Sequence, residues 1–261
     1  MNGKVENYLI ESLDKKGALL AALIDPLDYP SVDLAIKAGV NAANSGADYV
    51  LVGGSVGVGG ELLDTVVKEI KSSISVPLVL FPGNVTTVSK YADALYFMSM
   101  LNSRNPYWIS GAQTLAAPSV KQFDLEALSL GYIVVEPGGT VGWVGDANLI
   151  PRAKPSLAAA MAMAAQYMGK HFVLTDSGSN PANGPLPPEM AKAVSSCISI
   201  PYIIGGGVRT PAQAKALVKA GADILQVGTA LEKESDVKKA VSSLADAIHS
   251  AGAGRKKKFN I

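Results

Sequence analysis

Short apolar runs ending in small or polar residues recur along this chain, separated by stretches whose apolar residues return every three or four positions. Eight such runs occur, at 18–25, 49–53, 78–81, 94–98, 133–136, 172–175, 202–205 and 224–227. Each is apolar on both alternating faces, which predicts parallel strands buried on two sides. Helical spacing is clearest at 31–45, 61–72, 156–168, 211–219 and 235–250. A length of 261 residues suits either one α/β barrel or two small domains. Eight alternating units predict one: a single (β/α)8 barrel of the TIM type over 1–261.

Two strand ends carry the sharpest chemical signal. Pro201-Tyr-Ile-Ile-Gly-Gly-Gly-Val-Arg-Thr210 and Ile224-Leu-Gln-Val-Gly-Thr-Ala230 each stop an apolar run at glycine just before a helix start. Thr210 is suited to an N-cap, Pro211 to the first helical turn, and Gln213 stands where a capping box needs it. That helix therefore points its N-terminus at the loop. Counted along the chain, these are the loops after strands seven and eight, where barrels of this kind commonly bind phosphate.

Composition narrows the classes. Apolar residues make up 48% and aromatics only 6%, a core packed by Ala, Val, Leu and Ile that needs no staples. The single Cys197 reads as a reduced, inert thiol, and the N-terminal Met1-Asn-Gly-Lys-Val-Glu6 has no signal pattern, so a cytoplasmic protein is expected. A net charge of +1 gives no argument for nucleic acid. The basic tail at 255–261, with Arg255-Lys-Lys-Lys258, is either a solvated end or a peripheral contact with anionic lipid headgroups.

Candidate chemistry collects at the strand ends. The first strand delivers Asp25, stopped by Pro26, and the second ends at Gly53-Gly-Ser55. One carboxylate with one hydroxyl makes an incomplete shell of the kind Mg²⁺ accepts. The third strand ends Leu80-Phe-Pro-Gly-Asn84, with Asn84 a cap. A long segment containing Tyr107, Trp108, Ile109 and Leu115 lines either an apolar channel or the core. Five of the residues from 137 to 146 are Gly or Pro, too many for a regular element and suited to a lid. Strand six exits through Thr175-Asp-Ser-Gly-Ser-Asn180, and Asp176 is the best-placed base. His171 falls at the opposite barrel end and His249 in the last helix, which argues against Ser-His-Asp chemistry and a His-ligated metal.

Taken together, Leu23-Ile-Asp-Pro26, Gly53-Gly-Ser55, Leu80-Phe-Pro-Gly-Asn84, Tyr96-Phe-Met-Ser99, Asn102-Ser103, Tyr107-Trp-Ile109, Glu136-Pro-Gly-Gly-Thr-Val-Gly-Trp143, Gly205-Gly-Gly-Val-Arg209 and Val227-Gly228 resemble the geranylgeranylglyceryl phosphate synthases over most of the chain. The resemblance implies a modified TIM barrel that joins geranylgeranyl diphosphate to the 3-hydroxyl of sn-glycerol 1-phosphate. This makes the first ether bond of archaeal membrane lipids and releases pyrophosphate. It implies Mg²⁺ on Asp25 and Ser55, and glycerol phosphate held by Val173, Leu174, Thr175, Asp176, Ser177, Gly178, Ser179, Gly206, Gly207, Gly228 and Thr229. Tyr107, Trp108 and Tyr132 would line the prenyl channel, and a homodimer is expected.

The chain departs from the family pattern where it has Gly228-Thr229 in place of a more usual Gly-Asn. It departs again where Val173-Leu174-Thr175 stands for the family's Tyr-Leu-Glu. Direct alignment thus puts Thr175 at the base position, with Asp176 one residue on. A neutral hydroxyl cannot accept a proton at pH 7. The alternatives are a catalytic Asp176 reached through a shifted backbone, loss of the proton to water or pyrophosphate, a non-catalytic barrel that binds prenyl and glycerol phosphates, or another sugar-phosphate enzyme.

Overall fold

The computed structural model describes residues 3–232, 236–255 and 259. Its strands are β1 (Leu19–Ile24), β2 (Tyr49–Gly53), β3 (Leu78–Phe81), β4 (Ala94–Met100), β5 (Glu126–Val134), β6 (Phe172–Asp176), β7 (Tyr202–Gly205) and β8 (Ile224–Val227). They close in sequence order, every neighbour parallel and β8 pairing back on β1. Alternation explains the closure. Leu51, Leu130, Phe172, Leu174 and Ile203 meet in the barrel interior, while Val173, Ile204 and Leu225 face outward into the helical layer.

The helices are α1 (Lys4–Lys16), α2 (Val32–Asn44), α3 (Gly60–Ser73), α4 (Ala112–Gln122), α5 (Gly139–Val144), α6 (Pro155–Tyr167), α7 (Pro188–Ser195), α8 (Pro211–Ala220), α9 (Thr229–Glu232) and α10 (Val237–Gly252). The five expected from spacing form within two residues of their expected ends. The Thr210 and Gln213 capping box forms as read. No helix among the described residues is long and apolar enough to cross a membrane.

Four local features differ from the sequence reading. Strand five begins at Glu126, not 133, because its weakly β-branched first half is carried by seven paired positions on β4. The Gly/Pro-rich segment at 137–146 contains the helix α5, its start allowed by Gly138 at φ 75°. Asn84 caps no helix: its Oδ1 accepts from Val85 N at 2.7 Å and from the Tyr107 hydroxyl at 2.5 Å, inside a strap that takes the chain from β3 to β4. Of the tail at 255–261, residues 256–258, 260 and 261 lie outside the described residues. Arg255 is not a solvated basic residue, since it pairs with Asp223 at 2.9 Å and donates to the Ala222 carbonyl at 2.6 Å.

α1 plugs the end of the barrel at which the strands begin. Val5, Leu9 and Leu13 join the interior cluster, each buried leucine being worth roughly 1.5–3 kcal/mol. Glu126 accepts from the N–H groups of Val5 and Glu6 at 2.7 and 2.8 Å, capping the helix from across the barrel. Both histidines serve this end. His171 contacts Glu6 at 2.7 Å, and His249 contacts the fully buried Asp48 at 2.9 Å, which also accepts from Lys16 and from Leu20 N.

Candidate active site

Strand alternation decides which part of β6 reaches the rim. Thr175 is fully buried and its Oγ1 lies 2.7 Å from the Tyr202 hydroxyl, on the helix-facing side of the sheet. Asp176, one residue on, turns into the barrel mouth and lines the cleft. Thr175 is therefore removed from the catalytic position that direct alignment gives it. Val173 and Leu174 are buried in the outer and inner clusters, and Ser177 is fully buried; none of the three lines the cleft.

Asp176 is held from two sides. Its Oδ2 accepts from the Tyr132 hydroxyl at 2.8 Å and its Oδ1 from Gly178 N at 2.7 Å. Burial pushes its carboxyl above the ordinary range, while those two donors oppose the shift by favouring the charged form. A carboxylate so held is placed to take a proton from a substrate hydroxyl in the cleft. Tyr132 is thus more than a channel wall: its ring borders the apolar groove and its hydroxyl aims Asp176.

Beside Asp176 the loops after β6, β7 and β8 leave backbone rather than side chains facing the cleft. Gly206 and Gly207 have φ of 85° and 78°, and a Cβ on Gly206 would stand 2.6 Å from the Gly178 carbonyl oxygen. Only glycine lets these loops come so close. Gly178, Ser179, Gly228 and Thr229 line the same space, and Arg209 ties two of its walls by donating to Asn180 Oδ1 at 2.5 Å and to the Pro181 carbonyl at 3.1 Å. The capped N-terminus of α8 follows directly. Such a cradle favours an anion.

Across the mouth, Asp25 rests against Gly54, where a Cβ would stand 2.9 Å from both carboxylate oxygens, and Ser55 adjoins. Burial first and the nearby Asp28 second push the Asp25 carboxyl up to about 6. Among the described residues no cationic side chain pairs with Asp25 or Asp28. Two carboxylates and a hydroxyl on an open rim fit a hard, hydrated cation such as Mg²⁺. No cluster of three His, Cys, Asp or Glu occurs among the described residues, so further ligands would come from water or substrate.

The cleft opens at Trp108, Met98, Met100 and Tyr132 into a second, apolar groove. Val85, Val88, Leu95, Phe97 and Ala116 line that groove between the β3–β4 strap and α4. Trp108 borders both spaces. Tyr107 borders neither, since it stacks edge-on against Trp108 at 4.9 Å with its hydroxyl on Asn84. Glu136 is exposed and accepts from Arg152 N at 3.2 Å, away from the cleft. α5 lies over the mouth through Val141, Val144 and Gly145.

A family model described as the PcrB family matches residues 19–248, which take in all eight strands and every cleft-lining loop. The chain belongs to the PcrB family. Among curated relatives, the geranylgeranylglyceryl phosphate synthase of Pyrococcus abyssi is 50% identical over 244 residues, covering 94% of this chain and 96% of the relative. That of Pyrococcus horikoshii is 52% identical over 238 residues, covering 91% and 92%. The crystal structure of (S)-3-O-geranylgeranylglyceryl phosphate synthase from Thermoplasma acidophilum, in complex with substrate sn-glycerol-1-phosphate, matches with a TM-score of 0.88 at 33% identity. The match covers 96% of this chain and 100% of that one. This chain shares its barrel alone with more distant structures, such as a thiamine phosphate pyrophosphorylase from Pyrococcus furiosus at 14% identity and a TM-score of 0.61.

Sequence reasoning passed over three of the cleft residues. Gln226 was hidden inside an apolar run, Glu232 followed the second glycine strand end, and Asp28 lies just past the Pro26 that stops the first strand. Period-two alternation around Gln226, with Ile224 inward and Leu225 outward, was the signal that places its side chain in the lumen.

Proposed function

We propose that this chain transfers the geranylgeranyl group of geranylgeranyl diphosphate to the 3-hydroxyl of sn-glycerol 1-phosphate, forming an ether and releasing pyrophosphate. The observation that carries the reading is the junction at Trp108 and Tyr132. There a glycine-lined anion cradle, a buried carboxylate and an apolar groove share one mouth. An acceptor phosphate seated on Gly178, Gly206, Gly207 and Gly228 brings its hydroxyl end toward Asp176. The apolar groove takes the prenyl tail, at roughly 0.8 kcal/mol per buried CH₂. The names of the relatives and the glycerol phosphate bound by the Thermoplasma enzyme support the same substrates.

In the reaction, the acceptor's 3-oxygen forms a bond to C1 of the prenyl chain as the bond from C1 to the diphosphate oxygen breaks. Asp176 accepts the hydroxyl proton, a contribution typically worth about 10²–10⁴-fold. Tyr132 keeps the carboxylate directed into the mouth, and the groove excludes water from the reacting carbon. Asp25 and Ser55, with Asp28 beside them, would hold Mg²⁺, which when bound supplies positive charge to the diphosphate leaving group. The enzyme works in the cytoplasm as a homodimer and meets its lipid substrate and product by peripheral contact at the membrane surface.

The test is incubation with Mg²⁺, sn-glycerol 1-phosphate and prenyl diphosphates of C15, C20 and C25, following ether product and pyrophosphate. Product with C20 favoured is expected. Saturable binding of both substrates without product would make the chain a binding protein.

A further inference from the structure

Inside the barrel, buried polar side chains of β2, β4, β5 and β6 pair with one another. The Tyr49 and Tyr96 hydroxyls lie 2.6 Å apart, and Tyr132 donates to Asp176. Gln226 is 4% exposed and lines the cleft, yet its Oε1 has no hydrogen-bond partner among the described residues. A buried amide acceptor without a partner is costly, and native interiors rarely keep one that nothing uses.

The sheet register shows what it faces. Asp176 pairs with Gly205, and Gly205 pairs with Gln226, so the carboxylate and the amide flank one glycine. A Cβ on Gly205 would stand 3.2 Å from Asp176 Cγ, so the carboxylate leans over that glycine, which carries no side chain of its own. Strands about 4.8 Å apart put the two Cα atoms about 10 Å apart. Inward-pointing Asp and Gln side chains reduce that gap to the width of a small polyol.

We propose that Gln226 binds the 2-hydroxyl of the glycerol acceptor, turning the adjacent 3-hydroxyl toward Asp176. The proposal rests on the acceptor assigned above and makes Gln226 a specificity-determining residue, selecting a phosphate that carries neighbouring hydroxyls. The amide offers both an acceptor and donors, so it takes a hydroxyl in either orientation.

The experiment measures binding of sn-glycerol 1-phosphate and of 3-hydroxypropyl phosphate, which lacks only the 2-hydroxyl, by titration calorimetry on the full chain. Wild type is expected to prefer glycerol phosphate by roughly ten- to hundredfold, the effect of leaving a buried polar group unpaired. Gln226→Leu and Gln226→Met, checked for folding by circular dichroism, are expected to reduce the preference to within about threefold. A wild-type ratio near one overturns the proposal before any variant is made, as does a folded variant that keeps the wild-type ratio. Failure to bind either compound overturns both this proposal and the assigned acceptor. The expected ratios without prenyl transfer would refute the transferase reading alone and leave Gln226 as the hydroxyl-binding residue.

Discussion

Replacing Tyr132 with Phe removes one oxygen and leaves the ring, with its edge-on contact to Phe81 at 5.8 Å, in place. The lost bond is the 2.8 Å donation to Asp176 Oδ2, the only side-chain donor to that buried carboxylate among the described residues. A hydrogen bond to a charged group is worth about 1.5–3 kcal/mol, which corresponds to roughly a 10- to 150-fold loss of kcat/KM where the ionised base is needed. The sign with pH follows from the groups present. Burial raises the Asp176 pKa and Tyr132 lowers it, so the variant should ionise Asp176 at higher pH than wild type. The assay is kcat/KM for glycerol phosphate from about pH 5 to 10, the limb reporting the free enzyme's base. The acid limb should move to higher pH, with activity recovering toward wild type on the alkaline side. A loss equal at every pH, or an unmoved limb, would refute the claim that Tyr132 acts through Asp176.

Asp176→Asn should lower kcat by about 10²–10⁴-fold. It should also stabilise the fold at neutral pH: a carboxyl raised above its unfolded value costs stability as pH climbs through the folded pKa, so the variant's Tm advantage should be larger at pH 7 than at pH 4. Asp25, pushed up to about 6 against an ordinary value of 3.8, destabilises the fold across that same window, and bound Mg²⁺ should reverse the effect. Thermal melts with and without Mg²⁺ should show a rise in Tm that grows above pH 6 and disappears in Asp25→Asn. Gly206→Ala, strained at φ 85° and within 2.6 Å of the Gly178 carbonyl oxygen, should cost about 1–3 kcal/mol, a Tm drop of roughly 2–10 °C, and weaken acceptor binding by calorimetry.

The barrel was legible because its signals are local. Strand ends at Gly53, Gly205 and Gly228 and the box of Thr210 with Gln213 each announce an element from a few residues. Strand five was misplaced because Glu126-Ala-Leu-Ser-Leu-Gly131 has little strand propensity and is held by its neighbours. α5 was hidden because glycine both disfavours helices and supplies their ends, and only the second use applies at Gly138 and Gly145. The choice between Thr175 and Asp176 turned on the pleat, which sends successive side chains to opposite faces. Motif matching alone cannot supply that parity. Tyr132's partner and Gln226's isolation are properties of the lumen, where residues from β5, β6 and β8 meet across 44 or more positions of sequence.

Six of the seven strand connections carry a helix of at least eight residues, and the β3–β4 strap at 82–93 carries none. An outer wall is missing at that one place, and the groove lies there. A twenty-carbon tail laid against Leu95, Phe97 and Ala116 would do for this sector what packed helices do for the others. Empty protein would then be locally unfinished, with amides of the four-residue β3 opening to hydrogen exchange sooner than those of β1 or β6. The substrate would serve as a transient layer of the core, so that catalysis and the stability of this edge of the barrel rise and fall together.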